Sequence, residues 1–182
     1  VFAEVGDTVE VRPSDRFSLA IDGPFAPALA AEPVENNLVA RAARALAAAL
    51  GVPADVAIRL NKALPIASGI GGGSADAAAT LRALVRLWRV DADDGRLVEI
   101  ARTLGQDVPV CLHGRPALFR GIGDETAPPS DPMPALDVLL VNPGVALTTP
   151  AVFKARTGPF TAARPFGAIP RRRDALLARL HH

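Results

Sequence analysis

Apolar and polar residues alternate along the first stretch of the chain. Val5, Val9 and Val11, then Phe17, Leu19 and Ile21, are separated by polar or small neighbours, with Pro13-Ser14-Asp15 between the two runs. Successive side chains of a strand face opposite sides, so a period of two predicts two strands, read here as a pair. The pattern changes after Pro24, Pro27 and Pro33. Leu38 to Leu50 is rich in Ala, Leu and Arg at helical spacing, with Asn36 as its cap and Gly51 as its stop. Val56, Ile58 and Leu60 restore the period of two for a third strand. Ser74 to about Val90 predicts a second long helix with Leu81, Leu84, Val85 and Trp88 on one face, Trp88 in the core. Leu97 to Leu104 predicts a shorter helix stopped by Gly105, then Val108 to Leu112 an apolar strand, a His113-Gly114 turn, and Ala117 to Arg120 closing a hairpin. Pro128 to Pro134 reads as a linker. Beyond it, Leu136 to Val141 predicts a strand, Pro150 to Lys154 a short helix, and Asp174 to Leu180 a last helix. Strand runs mixed with helical runs argue an α+β fold, with one domain over residues 1–133 and a second begun by residues 134–182.

Composition narrows the function classes. A hydrophobic fraction of 49% and a charged fraction of 21% suit a soluble globular protein, and no stretch approaches the roughly 18 uninterrupted apolar residues of a membrane span. A formal net charge of +1 provides no broad basic field for nucleic acid, and Arg171 to Arg173 is short enough to be a solvated face. A lone cysteine, Cys111, excludes an internal disulfide and a multi-cysteine metal site. The chain opens on Val1 without a signal-peptide pattern. These features predict a cytoplasmic protein with no nucleic-acid or membrane partner.

The chemistry concentrates in Pro65-Ile66-Ala67-Ser68-Gly69-Ile70-Gly71-Gly72-Gly73-Ser74-Ala75. Four glycines in five positions carry a large conformational entropy, and a packed domain keeps them where the backbone needs φ > 0 or a ligand must approach closely. The predicted helix that follows begins with N–H groups that lack intrahelical partners, at the positive end of its dipole. Consecutive amides there form a concavity suited to phosphate oxygens. Ser74 adds a hydroxyl for a phosphate or for its magnesium ion. The competing explanation is a flexible linker with Ser74 as a plain N-cap, but a linker has no reason to run straight into an Ala-rich helix. No lysine follows the glycines, which excludes a Walker A loop. Helical periodicity up to Asp91, where an acid should end a second strand, argues against a dinucleotide fingerprint.

The run from Leu64 to Ala79 resembles the phosphate-binding motif of the GHMP kinases, and its triple glycine is similar to the diphosphocytidyl-methylerythritol kinase branch. The resemblance extends to Glu35-Asn36-Asn37-Leu38-Val39, to Leu104-Gly105-Gln106-Asp107-Val108-Pro109-Val110, to Gly121-Ile122-Gly123-Asp124, and to Asn142-Pro143-Gly144-Val145 with Thr149-Pro150-Ala151-Val152-Phe153-Lys154. It implies a GHMP kinase fold: a ribosomal-protein-S5-like ATP-binding domain, then the start of a ferredoxin-like domain. It implies ATP and Mg2+ as cofactors and phosphorylation of the 2-hydroxyl of 4-diphosphocytidyl-2-C-methyl-D-erythritol, a step of non-mevalonate isoprenoid precursor biosynthesis; a monomer or weak homodimer with that small-molecule substrate is expected.

The resemblance also implies roles. Asp107 becomes the catalytic residue that orients the accepting hydroxyl, with Gln106 in place of the family's usual alanine. By residue type alone a turn-forming aspartate is the better explanation of Asp107, and it is the resemblance that reverses this. Residues 65–75 become the ATP loop, with Asn37 and Lys62 beside the nucleoside, although a cap neighbour and a solvated lysine would look the same in sequence. Thr149 becomes a substrate contact and Phe153 a ring stacking on cytosine, against a structural phenylalanine. No fixed metal site is implied beyond the magnesium that accompanies ATP. The family's Pro-Ala-Lys-Xaa-Asn-Leu, Tyr-His and second Gly-Ser-Gly motifs do not occur here, and Lys62 and Lys154 are the chain's lysines. These 182 residues alone are therefore expected to have little kinase activity. Another GHMP small-molecule kinase and a noncatalytic nucleotide-binding module stand as alternatives.

Overall fold

The computed structural model describes residues 2–89, 94–120, 125–129, 132–145, 147, 149–158 and 169–180. Its three-stranded sheet has β1 (Thr8–Pro13) and β2 (Ser18–Asp22) flanking β3 (Val56–Asn61). The first two strands are thus not a pair. β3 lies between them, antiparallel to β1 with Val9 opposite Leu60, and parallel to β2 with Leu19 opposite Ile58. The reason is burial. Val56, Ile58 and Leu60 are nearly wholly buried, which suits a strand with both edges paired, whereas β1 carries exposed Glu10 and Arg12 and ends on Pro13, features of an edge.

Helix α1 (Leu38–Leu50) starts one residue later than the Asn36 cap anticipates. Asn36 closes a 3-10 turn, and Asn37 caps the helix by accepting a hydrogen bond from the Val39 amide at 2.9 Å. Gly51 ends it in the left-handed conformation, as expected. Helix α2 (Gly72–Trp88) begins two residues before Ser74, with Gly71 as its cap. Helix α3 (Asp94–Leu104) ends at Leu104 as expected but begins three residues before Leu97.

Residues Val108–His113 form a helix, α4, and not a strand. The apolar spacing of Val108, Val110 and Leu112 in so short a window does not separate the two periods. Pro109 in the first turn, where a missing N–H costs nothing, and left-handed Gly114, whose amide donates to the Val110 carbonyl at 3.0 Å, settle it as helical. The hairpin is instead β4 (Leu118–Arg120) against β5 (Glu125–Ala127), with Leu118 opposite Ala127. The Gly121 to Asp124 motif lies outside the described residues. Residues 136–141 form no strand either. Val138 to Val141 are exposed, Leu139 by 87%, because no second strand pairs with them among the described residues. Helices α5 (Thr149–Ala155) and α6 (Arg173–Leu180) appear where expected.

One core joins these elements. Leu46 of α1, Leu60 of β3, Leu81 and Leu84 of α2 and Val108 of α4 are buried completely or nearly so, with Trp88 packed half-buried against them. Helix α2 touches α1, α3, α4 and β1. Whatever its first turn carries is therefore held by the whole core.

Candidate active site

Between β3 and α2 the chain makes a turn that its residue types explain. Gly69 and Gly71 adopt positive φ, 74° and 76°, which glycine does without a Cβ penalty. Ala67 also adopts positive φ, 51°, and the Ser68 hydroxyl braces the turn by donating to the Pro65 carbonyl at 2.8 Å. The first intrahelical bond of α2 runs from the Ala75 amide to the Gly71 carbonyl at 3.0 Å. The Gly72, Gly73 and Ser74 amides precede it and carry the positive end of the dipole. These three residues line a cleft of about 390 Å³, together with the rest of residues 65–74 and with Asn37, Lys62, Asp76 and Asp107. Ala75 is not among the lining residues.

Asp107 reaches this cleft from the N-terminal end of α4. It occupies the cap position, but its carboxylate makes no capping bond and the residue is exposed, while Val108 next to it is fully buried. A side chain free of local bonding on a buried anchor is available to a ligand, unlike a turn-forming aspartate. Arg82 of α2 donates to two carbonyls at the other end of α4, so one helix holds both the glycine turn and the element that carries Asp107.

Lys62 is not a solvated loop lysine. It is 3% exposed, and its ammonium donates to Asp76 Oδ2 at 2.9 Å and to Asp7 Oδ2. Asp7 Oδ1 accepts the Ala63 amide at 2.7 Å and the Leu64 amide at 2.8 Å. Burial pushes the Asp76 carboxyl up to about 6, more than its hydrogen bond and charge interaction with Lys62 bring it down. Burial also works against the Lys62 ammonium, but its hydrogen bonds to Asp7 and Asp76 outweigh that and hold its pKa above the usual lysine value. Sequence reasoning missed both acids. Asp76 left a signal, a lone acid in the apolar run Ala75-Asp76-Ala77-Ala78-Ala79; Asp7 left none, since its partners lie 55 to 57 residues away.

Thr149 opens α5, and Phe153 on the same helix is 66% exposed and is not among the cleft's lining residues. A second cleft of about 530 Å³ adjoins the first at Leu29, Glu32 and Asn37, with Ile21, Gly23 and Ala26 in its wall. Among the described residues no three His, Cys, Asp or Glu side chains gather as a metal site, and no helix is long and apolar enough to cross a membrane.

Comparison with known proteins agrees with this geometry. Residues 37–115 match the model of the GHMP kinases N terminal domain. The chain is 60% identical over 154 residues to 4-diphosphocytidyl-2-C-methyl-D-erythritol kinase of Ruegeria pomeroyi, covering 85% of this chain and 52% of that protein. It is 52% identical over 171 residues to the same enzyme of Paramagnetospirillum magneticum, covering 94% and 59%. A crystal structure of 4-(cytidine 5'-diphospho)-2C-methyl-D-erythritol kinase superimposes with a TM-score of 0.65 at 35% identity, over 95% of this chain and 59% of the other. Homoserine kinase from Cytophaga hutchinsonii shares the fold at a TM-score of 0.57 and 23% identity, over 70% of this chain and 44% of its own. The chain thus spans somewhat more than half the length of the curated relatives it matches. In keeping with the α+β architecture and the glycine turn that opens α2, residues 37–115 of the chain are a GHMP kinases N terminal domain.

Proposed function

We propose that the chain carries the nucleotide-binding and catalytic part of a kinase that transfers the γ-phosphoryl group of ATP to the 2-hydroxyl of 4-diphosphocytidyl-2-C-methyl-D-erythritol. One observation carries the reading: the residues that open α2 and Asp107 line the same cleft. The names of relatives sharing 60% and 52% of aligned residues support the substrate.

Phosphoryl transfer asks for positioning and charge stabilisation more than for covalent chemistry. The Gly72, Gly73 and Ser74 amides would hold phosphate oxygens of ATP. Asp107 would orient the substrate hydroxyl and take its proton as the new O–P bond forms and the bond from the γ-phosphorus to the ADP oxygen breaks. Magnesium fits this cleft as an ion that arrives with the nucleotide, for the Ser74 hydroxyl there is a hard oxygen donor that would hold it. Bound there, the ion supplies neutralisation of phosphate charge. The adjoining cleft, with apolar walls and Asn37 at the junction, is a fitting place for the nucleoside. Thr149 and Phe153 on α5 would meet the acceptor, the exposed Phe153 ring offering a face for cytosine. The ATP domain would occupy residues 1–133, and residues 134–182 would begin the second.

The test is a coupled ADP-release assay on a full-length version, offering the diphosphocytidyl substrate, mevalonate and homoserine in parallel. The reading requires turnover on the first to exceed the others at least about 10²-fold, the discrimination available when substrate polar groups are recognised. Faster turnover on either alternative would replace the proposed substrate, and absence of MgADP binding to this chain by calorimetry would remove the nucleotide site.

A further inference from the structure

Directly beneath the glycine turn lies a buried group of charges that the transfer itself does not use. Asp7 precedes β1, Lys62 follows β3, and Asp76 stands in the first turns of α2, yet the Lys62 ammonium bonds to both carboxylates. The side chains of Lys62, Asp7 and Asp76 are 4%, 0% and 7% exposed. The group borders the turn at three places. Asp7 Oδ1 accepts the amides of Ala63 and Leu64, where the turn leaves the sheet. Asp76 fixes the helix that the turn enters. Between those ends, a Cβ placed on Gly72 would lie 3.5 Å from Asp7 Oδ2 and 3.7 Å from the Lys62 nitrogen, so the group faces the backbone at Gly72 across the space of a single methyl group.

Stability does not explain such a group. Two carboxylates compete for one ammonium, desolvation opposes all three, and buried ion pairs are often replaceable by apolar residues without loss of stability. Geometry does explain it. A segment with four glycines in five positions loses much conformational entropy when it orders, and a phosphate-receiving turn binds well only if that ordering precedes the ligand. Directional bonds from one rigid group to the turn's entry and exit supply the order.

Resting on the nucleotide reading above, we propose that Asp7, Lys62 and Asp76 are positioning residues which hold the glycine turn and the first amides of α2 in their phosphate-receiving shape. Asp7 is not among the residues that line the cleft, so any effect of its loss on binding is indirect.

MgADP calorimetry with urea unfolding on this chain tests the proposal, using wild type, Asp7→Ala, Lys62→Met, Asp76→Asn and, as a core control on α1, Leu46→Ala. Asp7→Ala and Lys62→Met are expected to bind MgADP about tenfold more weakly while remaining folded, the scale of effect that lost preorganisation produces. Asp76→Asn retains an oxygen for the Lys62 ammonium in the same shape and is expected to stay within about threefold of wild type. Leu46→Ala is expected to lose stability and keep its affinity. The proposal is overturned if Asp7→Ala and Lys62→Met bind like wild type, or if Leu46→Ala weakens binding as much as they do. It is also overturned if every variant of the group unfolds, Asp76→Asn included, for the role would then be structural alone. A wild type that binds no MgADP would instead strike down the nucleotide reading, and this inference with it.

Discussion

Arg82 donates from its guanidinium to the carbonyl of Cys111 at 2.7 Å, and from the same nitrogen to Leu112 at 3.1 Å. The last carbonyls of any helix lack intrahelical donors, and α4 has only six residues with which to hold itself together. Arg82 therefore fixes one end of α4 to α2, and with it the placement of Asp107 at the other end. Arg82→Met leaves these carbonyls short of a charged donor, a loss of about 1.5–3 kcal/mol. In a full-length version turnover should fall about tenfold, the penalty of a slightly misplaced catalytic group, while MgADP affinity stays within about twofold. Parallel losses in turnover and affinity would show that α4 and the glycine turn are not positioned separately.

Asp107→Asn isolates the chemical role. The amide keeps the size of the carboxylate but accepts no proton, and no local hydrogen bond of Asp107 is lost because its side chain makes no capping bond. Turnover should drop by about 10²-fold or more with nucleotide affinity unchanged, the signature of an interaction needed chiefly in the transition state. Steady-state kinetics beside MgADP calorimetry decides it, and wild-type turnover would take Asp107 out of the reaction.

The parts of this molecule legible in sequence are those whose causes are local. Helix α1 announced itself through periodicity and Gly51, β3 through alternation, and the glycine turn through a composition that few other settings tolerate. Where the cause is distant, the local pattern misled. The order β1-β3-β2 follows from which strand is buried on its inner face, which an alternating apolar window does not record; Val108–His113 misled for another reason, since Pro109 and Gly114 mark its helix locally and the apolar spacing of so short a window masks them. Lys62 reads as a solvated lysine until Asp7 is brought to it across 55 residues of chain. Val138 to Val141 have the apolar character of a strand and lack a partner strand among the described residues, and a strand forms only with its neighbour.

The two central glycines of the turn should separate in their behaviour. Gly71 has φ of 76° with open space around its missing Cβ, so Gly71→Ala meets backbone strain of about 1–2 kcal/mol and no steric contact. Gly72 is the first residue of α2 and has no positive φ; a Cβ there would make contacts of 3.5 to 3.7 Å with Asp7, Leu64 and Lys62, ordinary packing distances. Gly72→Ala should therefore leave the urea midpoint unchanged or raised, whereas Gly71→Ala lowers it. Equal destabilisation by both would show that the turn's conformation is not what glycine is there to provide.

Asp76 should leave its mark on the pH dependence of stability. Burial raises its carboxyl from 3.8 to about 6 in the folded protein, so the folded state holds this proton more tightly than the unfolded chain does. Its contribution to stability is then complete below about pH 3.8 and is lost as pH rises through 6. Over that span the loss is on the order of 3 kcal/mol, from about 1.4 kcal/mol per unit of pKa difference. Other acids act in the opposite sense: hydrogen bonds hold Asp22, Glu35 and Asp174 below the ordinary carboxylate range, and their contributions fade as pH falls. The pH curve of the wild type mixes both signs, but the difference between wild type and Asp76→Asn isolates one group, since the amide does not titrate. Urea unfolding at pH 4, 5, 6 and 7.5 should show Asp76→Asn gaining on wild type between the first three and levelling off at the last. A difference that stays constant across this range would mean that Asp76 keeps an ordinary carboxyl pKa despite its burial, and that the Lys62 ammonium compensates the desolvation of its partner in full.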